Sequence, residues 1–292
     1  MMMVAPLFLI ALLLFHQSDT ALSEAGALQK AGNTDEAITV LQRAATATPG
    51  DAAVHNMLGA LLNRSGRYPE ALTHAQAAVA NAPDNPRYRL NLGIVLVEHG
   101  RFAEAVKAFD RALEQNPSFT YGYLERGSAL LSLNRDAEAR TQWAAARNSD
   151  AKLVWPDWYE GLHDFIDRRY ENAIKRFDRV AAAEPEFAPA ALWRNLARLR
   201  ARMPLLDVPP RTEGWPAPLY RMLTGQLTLQ QVLAVAEQDR ITGDRRRTGE
   251  ALFVAAEIAA AAGRVAEATS LYERASAVAA PRHAWKIAAE RR

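Results

Sequence analysis

An all-α fold of stacked helix–turn–helix repeats is predicted by three observations. Pro49, Pro83, Pro117 and Pro185 fall on multiples of a 34-residue period, with only the beat at Ala151 missing. Between them the same small and aromatic residues recur at fixed offsets, the sequence signature of a helical array. Alanine, the strongest helix former, supplies much of the 49% hydrophobic content. Each unit of such an array buries its apolar face on its neighbours. The 292 residues are therefore counted in repeats rather than in ordinary domains.

The chain opens on an apolar run of 12 residues, Val4 to Phe15. A membrane-spanning helix needs roughly 20 residues, whereas the core of an export signal needs roughly 7–15. Residues 1–18 therefore read first as an export signal, which implies a periplasmic protein. No Lys or Arg precedes the run, and the small-x-small cleavage candidates are Ser18-Asp19-Thr20 and Ala21-Leu22-Ser23. An uncleaved inner-membrane anchor and an N-terminal helix packed on the array are the alternatives.

Residues 19–185 hold five units. The pattern of a unit has a small residue at position 8 of helix A and a turn glycine at position 15. An aromatic follows at 17, alanine at 20, an aromatic at 24, alanine at 27 and proline at 32. Small residues at 8 and 20 let the paired helices touch, and the aromatic at 24 is expected to fill the gap between adjacent units. Proline cannot continue helix B, so it opens the next unit. The third unit fits best, with Leu92-Gly93, Gly100, Phe102, Ala105, Phe109, Ala112 and Pro117. The second has Leu58-Gly59, Gly66, Tyr68, Ala71, Ala78 and Pro83; the first has Ala25, Gly32, Ala37, Leu41, Ala44 and Pro49. In the fourth, Gly127, Ala139, Trp143 and Ala146 keep the pattern while Asn134 replaces the turn glycine, a residue able to adopt the left-handed conformation. The fifth has Gly161, Tyr170, Ala173, Phe177 and Pro185. This pattern resembles the tetratricopeptide repeat, which implies a superhelical solenoid.

Residues 186–248 break the period. Ala188 to Arg202 reads as another helix A, followed by a proline-rich interruption from Met203 to Pro216. A short helix is expected at Ala217 to Leu223. Thr228 and Gln231 form a capping box that opens another helix, and Gly243 to Arg247 reads as a turn. Residues 249–292 return to the repeat: Ala256, Gly263, Ala268, Tyr272 and Ala275 occupy positions 8, 15, 20, 24 and 27. The tail from Arg282 reads as a basic amphipathic capping helix.

The segment from Gly214 onward resembles the C-terminal half of the NlpI family of bacterial envelope lipoproteins. The positions that carry the likeness are Trp215, Tyr220, Gly225, Thr228, Phe253, Gly263 and Ala268. The resemblance implies a periplasmic adaptor that recruits an envelope protease and cell-wall hydrolases and forms a homodimer. Members of that family carry a lipidated cysteine after the signal; this sequence contains no cysteine.

In a solenoid of this kind the helix A faces line a concave groove, with positions 2, 5, 6, 9, 12 and 13 pointing into it. In the second unit these are Ala53, Asn56, Met57, Ala60, Asn63 and Arg64; in the third, Arg87, Leu90, Asn91, Ile94, Val97 and Glu98. In the fourth they are Tyr121, Leu124, Glu125, Ser128, Leu131 and Ser132. The groove is mixed and weakly charged, suited to a peptide or helix laid along it. A clamp for a C-terminal carboxylate, using Arg87 and Asn91, is opposed by Glu125, whose charge repels the ligand. The fifth unit adds Trp155, Trp158 and Tyr159, aromatic anchors of the kind that dominate interfaces. These rings form a groove floor, or the helix A–B turn is one residue short and Trp158, Leu162 and Phe165 rotate into the core. Asp157, Glu160 and Asp164 favour the second reading, because buried carboxylates are costly.

Several function classes are disfavoured. A net charge of +2 without an array-wide basic stripe gives no case for nucleic acid. The arginines at 194, 198, 200 and 202 and at 245–247 read as solvated surface. Without cysteine there is no disulfide, thiol catalysis or cysteine–zinc site. The six histidines show no ligand spacing, and His55 with His74 reads as a satisfied pair rather than a metal site. Neither a phosphate loop nor a nucleophile elbow is present. The chain thus reads as a non-enzymatic scaffold without cofactor or small-molecule substrate; a membrane-anchored or cytoplasmic assembly scaffold or co-chaperone with a peptide-binding groove is the second reading, and a hydrolase or transferase on a repeat platform the third.

Overall fold

The computed structural model describes residues 5–150, 152–206, 214–238 and 246–278. Among them every regular element is a helix. The first of two compact units contains α1 (Ala5–Lys30), α2 (Thr34–Ala47), α3 (Ala52–Arg64), α4 (Tyr68–Asn81), α5 (Pro86–Glu98) and α6 (Phe102–Gln115). It ends after Glu125, inside α7 (Thr120–Ser132). The second holds the rest of α7, then α8 (Asp136–Ser149), α9 (Trp155–Ile166), α10 (Tyr170–Ala183) and α11 (Ala188–Arg200). It continues with α12 (Ala217–Leu223), α13 (Leu229–Gln238), α14 (Arg246–Ala261) and α15 (Val265–Val278).

The backbone keeps the 34-residue beat more strictly than the prolines do. Gly32, Gly66, Gly100, Asn134, Arg168 and Arg202 all have positive φ, from 58° to 85°, and each follows the last by 34 residues. Each ends a helix A in the same way. At the first full example, Gly66 N–H donates to Asn63 O and Arg67 N–H to Leu62 O, at 3.1 and 2.9 Å, which satisfies carbonyls that the helix end leaves open. The bonds from Arg168 to Phe165 and from Arg169 to Asp164 repeat it. The turn of the fifth repeat is therefore full length, not one residue short: Arg168 occupies the glycine position in the left-handed region.

The prolines do more than stop helices. The carbonyls of Pro49, Pro83 and Pro117 each accept a bond from position 4 of the next helix A. The donors are His55 Nε2, Arg89 Nε and Tyr123 Oη, all at 3.0 Å. Asn81 and Gln115, at position 30, donate to Pro49 and Pro83 at 3.0 and 3.1 Å. Three unlike side chains thus do one job at position 4. The expected beat at Ala151 lies outside the described residues.

Helix pairs close over glycine. A Cβ at Gly93 would lie 2.3 Å from the Phe109 ring, one at Gly127 2.3 Å from Trp143, and one at Gly161 2.8 Å from Phe177. The aromatic at position 24 therefore sits on the glycine of its own unit, not in a gap between units as the sequence suggested. Phe109, Trp143 and Phe177 are fully buried by this packing. In the second repeat, Ala75 stands at position 24, and the chain approaches Gly59 through its backbone.

Helix α1 runs unbroken through residue 18, so the apolar run and the first helix A are one helix, and both cleavage candidates lie inside it. Ser18 is buried with its Oγ 3.1 Å from Thr48 Oγ1, and Ala21 and Ala25 join the core around Leu41 and Leu58. No helix among the described residues is long and apolar enough to cross a membrane. The side chains of residues 5–16 lie outside the described set.

In the second unit the interruption has a specific anchor. Asn195 stands at position 8, where other repeats have glycine, and is buried. Its amide donates to Leu206 O at 3.1 Å and accepts from Leu206 N at 3.0 Å. A single strand of chain, held by both amide groups, thus lies where helix B would pack. Tyr220 of α12 is buried and donates to Ala188 O at 2.8 Å, and that burial pushes its phenol pKa up. Thr228 and Gln231 form the expected capping box at the start of α13, with Thr228 N–H reaching Gln231 Oε1 at 2.8 Å. Helices α14 and α15 pair as a repeat, and Phe253 meets Trp193 at 5.4 Å between ring centres. Arg246 and Arg247 belong to α14 rather than to a turn; 243–245 and the tail from Arg282 lie outside the described residues.

Candidate partner-binding surface

The faces of α3, α5 and α7 place the expected groove residues in two classes. Positions 2, 6 and 13 stay accessible. Arg64, Arg87 and Tyr121 are exposed, Tyr121 to 54%, and Met57, Asn91 and Glu125 are half-buried. Positions 5 and 12 do not stay open in the third and fourth repeats. Leu90 and Leu124 are buried, as are Val97 and Leu131. Packing between helices withdraws these four from the surface. At position 9, Ile94 and Ala60 are half-buried and Ser128 is buried. In the second repeat, positions 5 and 12 are Asn56 and Asn63, both half-buried. Asn91 donates to Asn56 at 2.7 Å, so position 6 of one repeat is tied to position 5 of the previous one. One of the two N–H donors of the Asn91 amide is thereby committed within the fold.

On α9 the aromatic anchors are half-buried and each meets another ring. Trp155 and Trp158 both stand edge-on to Phe187, at 5.1 and 4.9 Å, and Tyr159 stacks on Trp143 at 5.9 Å. Leu162 and Phe165 are core residues. Helix α9 therefore keeps the ordinary register, with Trp158 at position 5 doing the packing that Leu90 and Leu124 do elsewhere.

The carboxylates of α9 were expected to avoid burial, and they do not. Asp157, Glu160 and Asp164 have side chains only 14%, 12% and 8% exposed. Arginines from α8, from α10 and from the residue that caps α10 meet them. Arg147 reaches Glu160 at 2.8 Å, Arg179 reaches Asp157 at 2.5 Å, and Asp164 meets Arg169 at 2.7 Å and Arg176 at 2.8 Å; Arg176 also pairs with Glu160. Burial pushes the Asp157 carboxyl up, but the Arg179 hydrogen bond and the charges of Arg179, Arg147 and Arg176 together hold it below its usual range. The cost of burying a charge is offset only by such complete pairing.

The arginine cluster on α11 departs from the sequence reading. Arg200 is not solvated surface: its side chain is 17% exposed, and its Nε lies 3.4 Å from Glu257, which is fully buried. Tyr272 donates to the same carboxylate at 2.8 Å. Arg194 pairs with Asp178, and Arg198 Nε donates to Pro204 O. His55 and His74 do form a satisfied pair. His55 Nε2 must carry the proton given to Pro49 O, so in the neutral pair His74 Nδ1 donates to His55 Nδ1 across 2.9 Å. Burial, then the charge of His55, lowers the His74 pKa. One regular feature escaped the sequence reading. Arginine at position 16 pairs with glutamate at position 19 in Arg67–Glu70, Arg101–Glu104 and Arg135–Glu138, a spacing that was there to be read.

Comparison with known proteins follows the same lines. Residues 22–86 and 90–151 match the family model of the tetratricopeptide repeat. No curated protein sequence matches the chain. Among solved structures, a tetratricopeptide repeat protein from Parabacteroides merdae is similar with a TM-score of 0.56 at 14% identity, over 94% of this chain and 99% of that one. TTC0263, a thermophilic TPR protein of Thermus thermophilus, gives 0.55 at 18% identity over 62% and 99%. Pseudomonas aeruginosa pilF gives 0.54 at 19% over 63% and 84%. At these identities the likeness shows the fold. Proteins of this fold generally mediate protein–protein interaction, binding proteins or peptides, and are typically not enzymes. The chain folds as an all-α tetratricopeptide repeat array, and residues 22–86 and 90–151 match the model of that repeat.

Proposed function

We propose that the protein is a non-enzymatic adaptor of the bacterial cell envelope that presents its helix A faces to peptide segments of other proteins. The observation that carries the adaptor reading is the recurring accessible stripe at positions 2, 6 and 13. It displays Arg64, Arg87, Asn91 and Tyr121 on the first unit while neighbouring positions are used in packing. Tyrosine and arginine are the side chains that most often anchor interfaces. On the second unit Trp155 and Tyr159 hold the equivalent places.

Envelope location, a processing protease and cell-wall hydrolases as partners, and homodimer formation rest on the resemblance of residues 214–275 to the envelope family and on the apolar run at the start. Crosslinking in native envelopes tests the whole reading: partners are captured through the C-terminally tagged chain and identified by mass spectrometry. Proteases and hydrolases of the envelope should be recovered with the unaltered chain and lost with Arg87→Glu/Tyr121→Ala. Equal recovery with that variant removes these faces from the function. Full-length, uncleaved chain found only in the cytosol removes the envelope. Sedimentation that shows only monomer at micromolar concentration removes the dimer.

A further inference from the structure

We propose that His163 is a proton-operated latch that passes the hold of α8 on α9 from Arg140 to Asp136. The proposal goes beyond the adaptor reading and does not rest on it. The His163 ring lies on α9 and is only 2% exposed. Its Nδ1 lies 3.1 Å from Arg140 Nη2, 3.2 Å from Arg169 Nη2 and 3.3 Å from Asp167 Oδ2. A guanidinium only donates, so Nδ1 presents its lone pair to both arginines. The one N–H proton of the neutral ring therefore sits on Nε2. Among the described residues that atom has no hydrogen-bond partner, and it lies 3.8 Å from Asp136 Oδ2, beyond hydrogen-bond reach.

The arrangement holds only while the ring is neutral. A second proton enters at Nδ1, the one free lone pair, and there it points at two N–H donors. Both must withdraw, while Asp167 is in place to accept. Arg169 keeps Asp164 at 2.7 Å and Asp167 at 2.6 Å. Arg140 has less to hold it. Its other contact is 3.4 Å to Asp167 Oδ2, the oxygen that the charged ring takes. The Arg140 side chain is 48% exposed, and a cavity of about 120 Å³ beside the ring gives it room to leave. The imidazolium then attracts Asp136 through its Nε2–H. Asp136 and Arg140 stand one turn apart on α8, so the contact moves by one turn along that helix. The remaining charges beside the ring are Glu160, Asp164 and Arg176, which line the same cavity. Arg176 pairs with both carboxylates, and that pairing does not involve the ring. Burial lowers the His163 pKa most; Asp167 and Asp136 raise it, and Arg140 and Arg169 lower it, for a net fall below the ordinary 6.5. Trp143 of α8 stands edge-on to the ring at 6.2 Å and stacks on Tyr159, so the exchange occurs beside the aromatic contact between α8 and α9.

Nitrogen-15 NMR of the full chain labelled at histidine tests the latch, because imidazole nitrogen shifts report both tautomer and charge. The His163 signals are those lost in His163→Gln, whose side-chain oxygen can still accept from the arginines. At neutral pH the ring should be the Nε2–H tautomer, and it should titrate below pH 6.5 with the chain still folded. Arg140→Ala should raise that midpoint by at least about half a unit, and Asp136→Asn and Asp167→Asn should each lower it by a similar amount. A neutral ring protonated at Nδ1 in the unaltered chain overturns the proposal, whether or not any variant folds. A ring that stays neutral until the chain unfolds overturns it too. So does an unchanged midpoint in Arg140→Ala, or one that fails to fall in Asp136→Asn.

Discussion

The glycines at position 8 allow a sharp test of how the repeats close, and Gly93→Ala is the best placed. The added methyl would lie 2.3 Å from one Phe109 ring carbon and 2.7 Å from two more. Comfortable carbon contacts lie near 3.5–4.0 Å, so the overlap exceeds an ångström. Phe109 is fully buried and cannot withdraw into solvent. Overpacking of this kind costs about 1–3 kcal/mol. Helix propensity returns about 1 kcal/mol for glycine to alanine, so a net loss of up to about 2 kcal/mol is expected. Gly26→Ala is the internal control. It lies in α1, meets nothing within 4 Å, and should gain about 0.5–1 kcal/mol from the same chemistry. Urea melts followed by far-UV circular dichroism read both, since every tryptophan lies at residue 143 or beyond and reports elsewhere. Phe109→Leu combined with Gly93→Ala should lose less than the sum of the two single changes, because the smaller side chain relieves the overlap. If Gly93→Ala and Gly26→Ala shift the midpoint in the same direction, the close glycine–aromatic contact is not what sets the helix spacing.

Four further changes follow from the geometry. Asn195→Ala frees both amide groups of Leu206 and should cost about 1–3 kcal/mol, seen as faster hydrogen exchange at the Leu206 amide. Glu257→Gln leaves Arg200 without its buried counter-charge; the loss should be about 3 kcal/mol in a thermal or urea melt, the low end for a broken buried pair because Arg200 is partly solvated. Arg168→Gly should stabilise by about 0.5–1 kcal/mol, since a left-handed residue other than glycine is strained by roughly 1–2 kcal/mol and glycine returns part of that in unfolded-chain entropy. Acid should destabilise through His74 and His163. Burial lowers the pKa of each below the ordinary 6.5, so the unfolded chain takes protons first. Their contribution is intact above pH 6.5 and is lost as pH falls below it towards the lowered values; replacing both with glutamine should flatten the fall in melting temperature.

Much of the fold could be read from the sequence because the repeat states the same constraint many times. Position 8, the turn at 15 and the proline at 32 each recur, so a single exception such as Ala151 does not hide them. The short helix at Ala217–Leu223 and the capping box at Thr228 were also legible, being local signals. What failed were matters of register and pairing. Carboxylates on α9 argue in sequence for a rotated helix, yet their partners Arg147, Arg176 and Arg179 lie on other helices, out of reach of a local pattern. Arg200 reads as surface in sequence and is paired with the buried Glu257, because α14 returns to pack on α11 after the interruption.

The same register decides where binding specificity can reside. Position 8 is held by the ring at 24, position 15 by the left-handed turn, and position 4 by the preceding proline carbonyl. Positions 5 and 12 are taken up by packing between helices: Leu90, Leu124, Val97 and Leu131 are buried for that reason. On α3, α5 and α7, positions 2, 6 and 13 all stay accessible, and there Arg87, Tyr121, Asn91 and Arg64 differ in size, charge and polarity. A substitution at these positions changes what the surface presents with little effect on the stack. One at the flanking positions changes the stack and reaches a partner only through it.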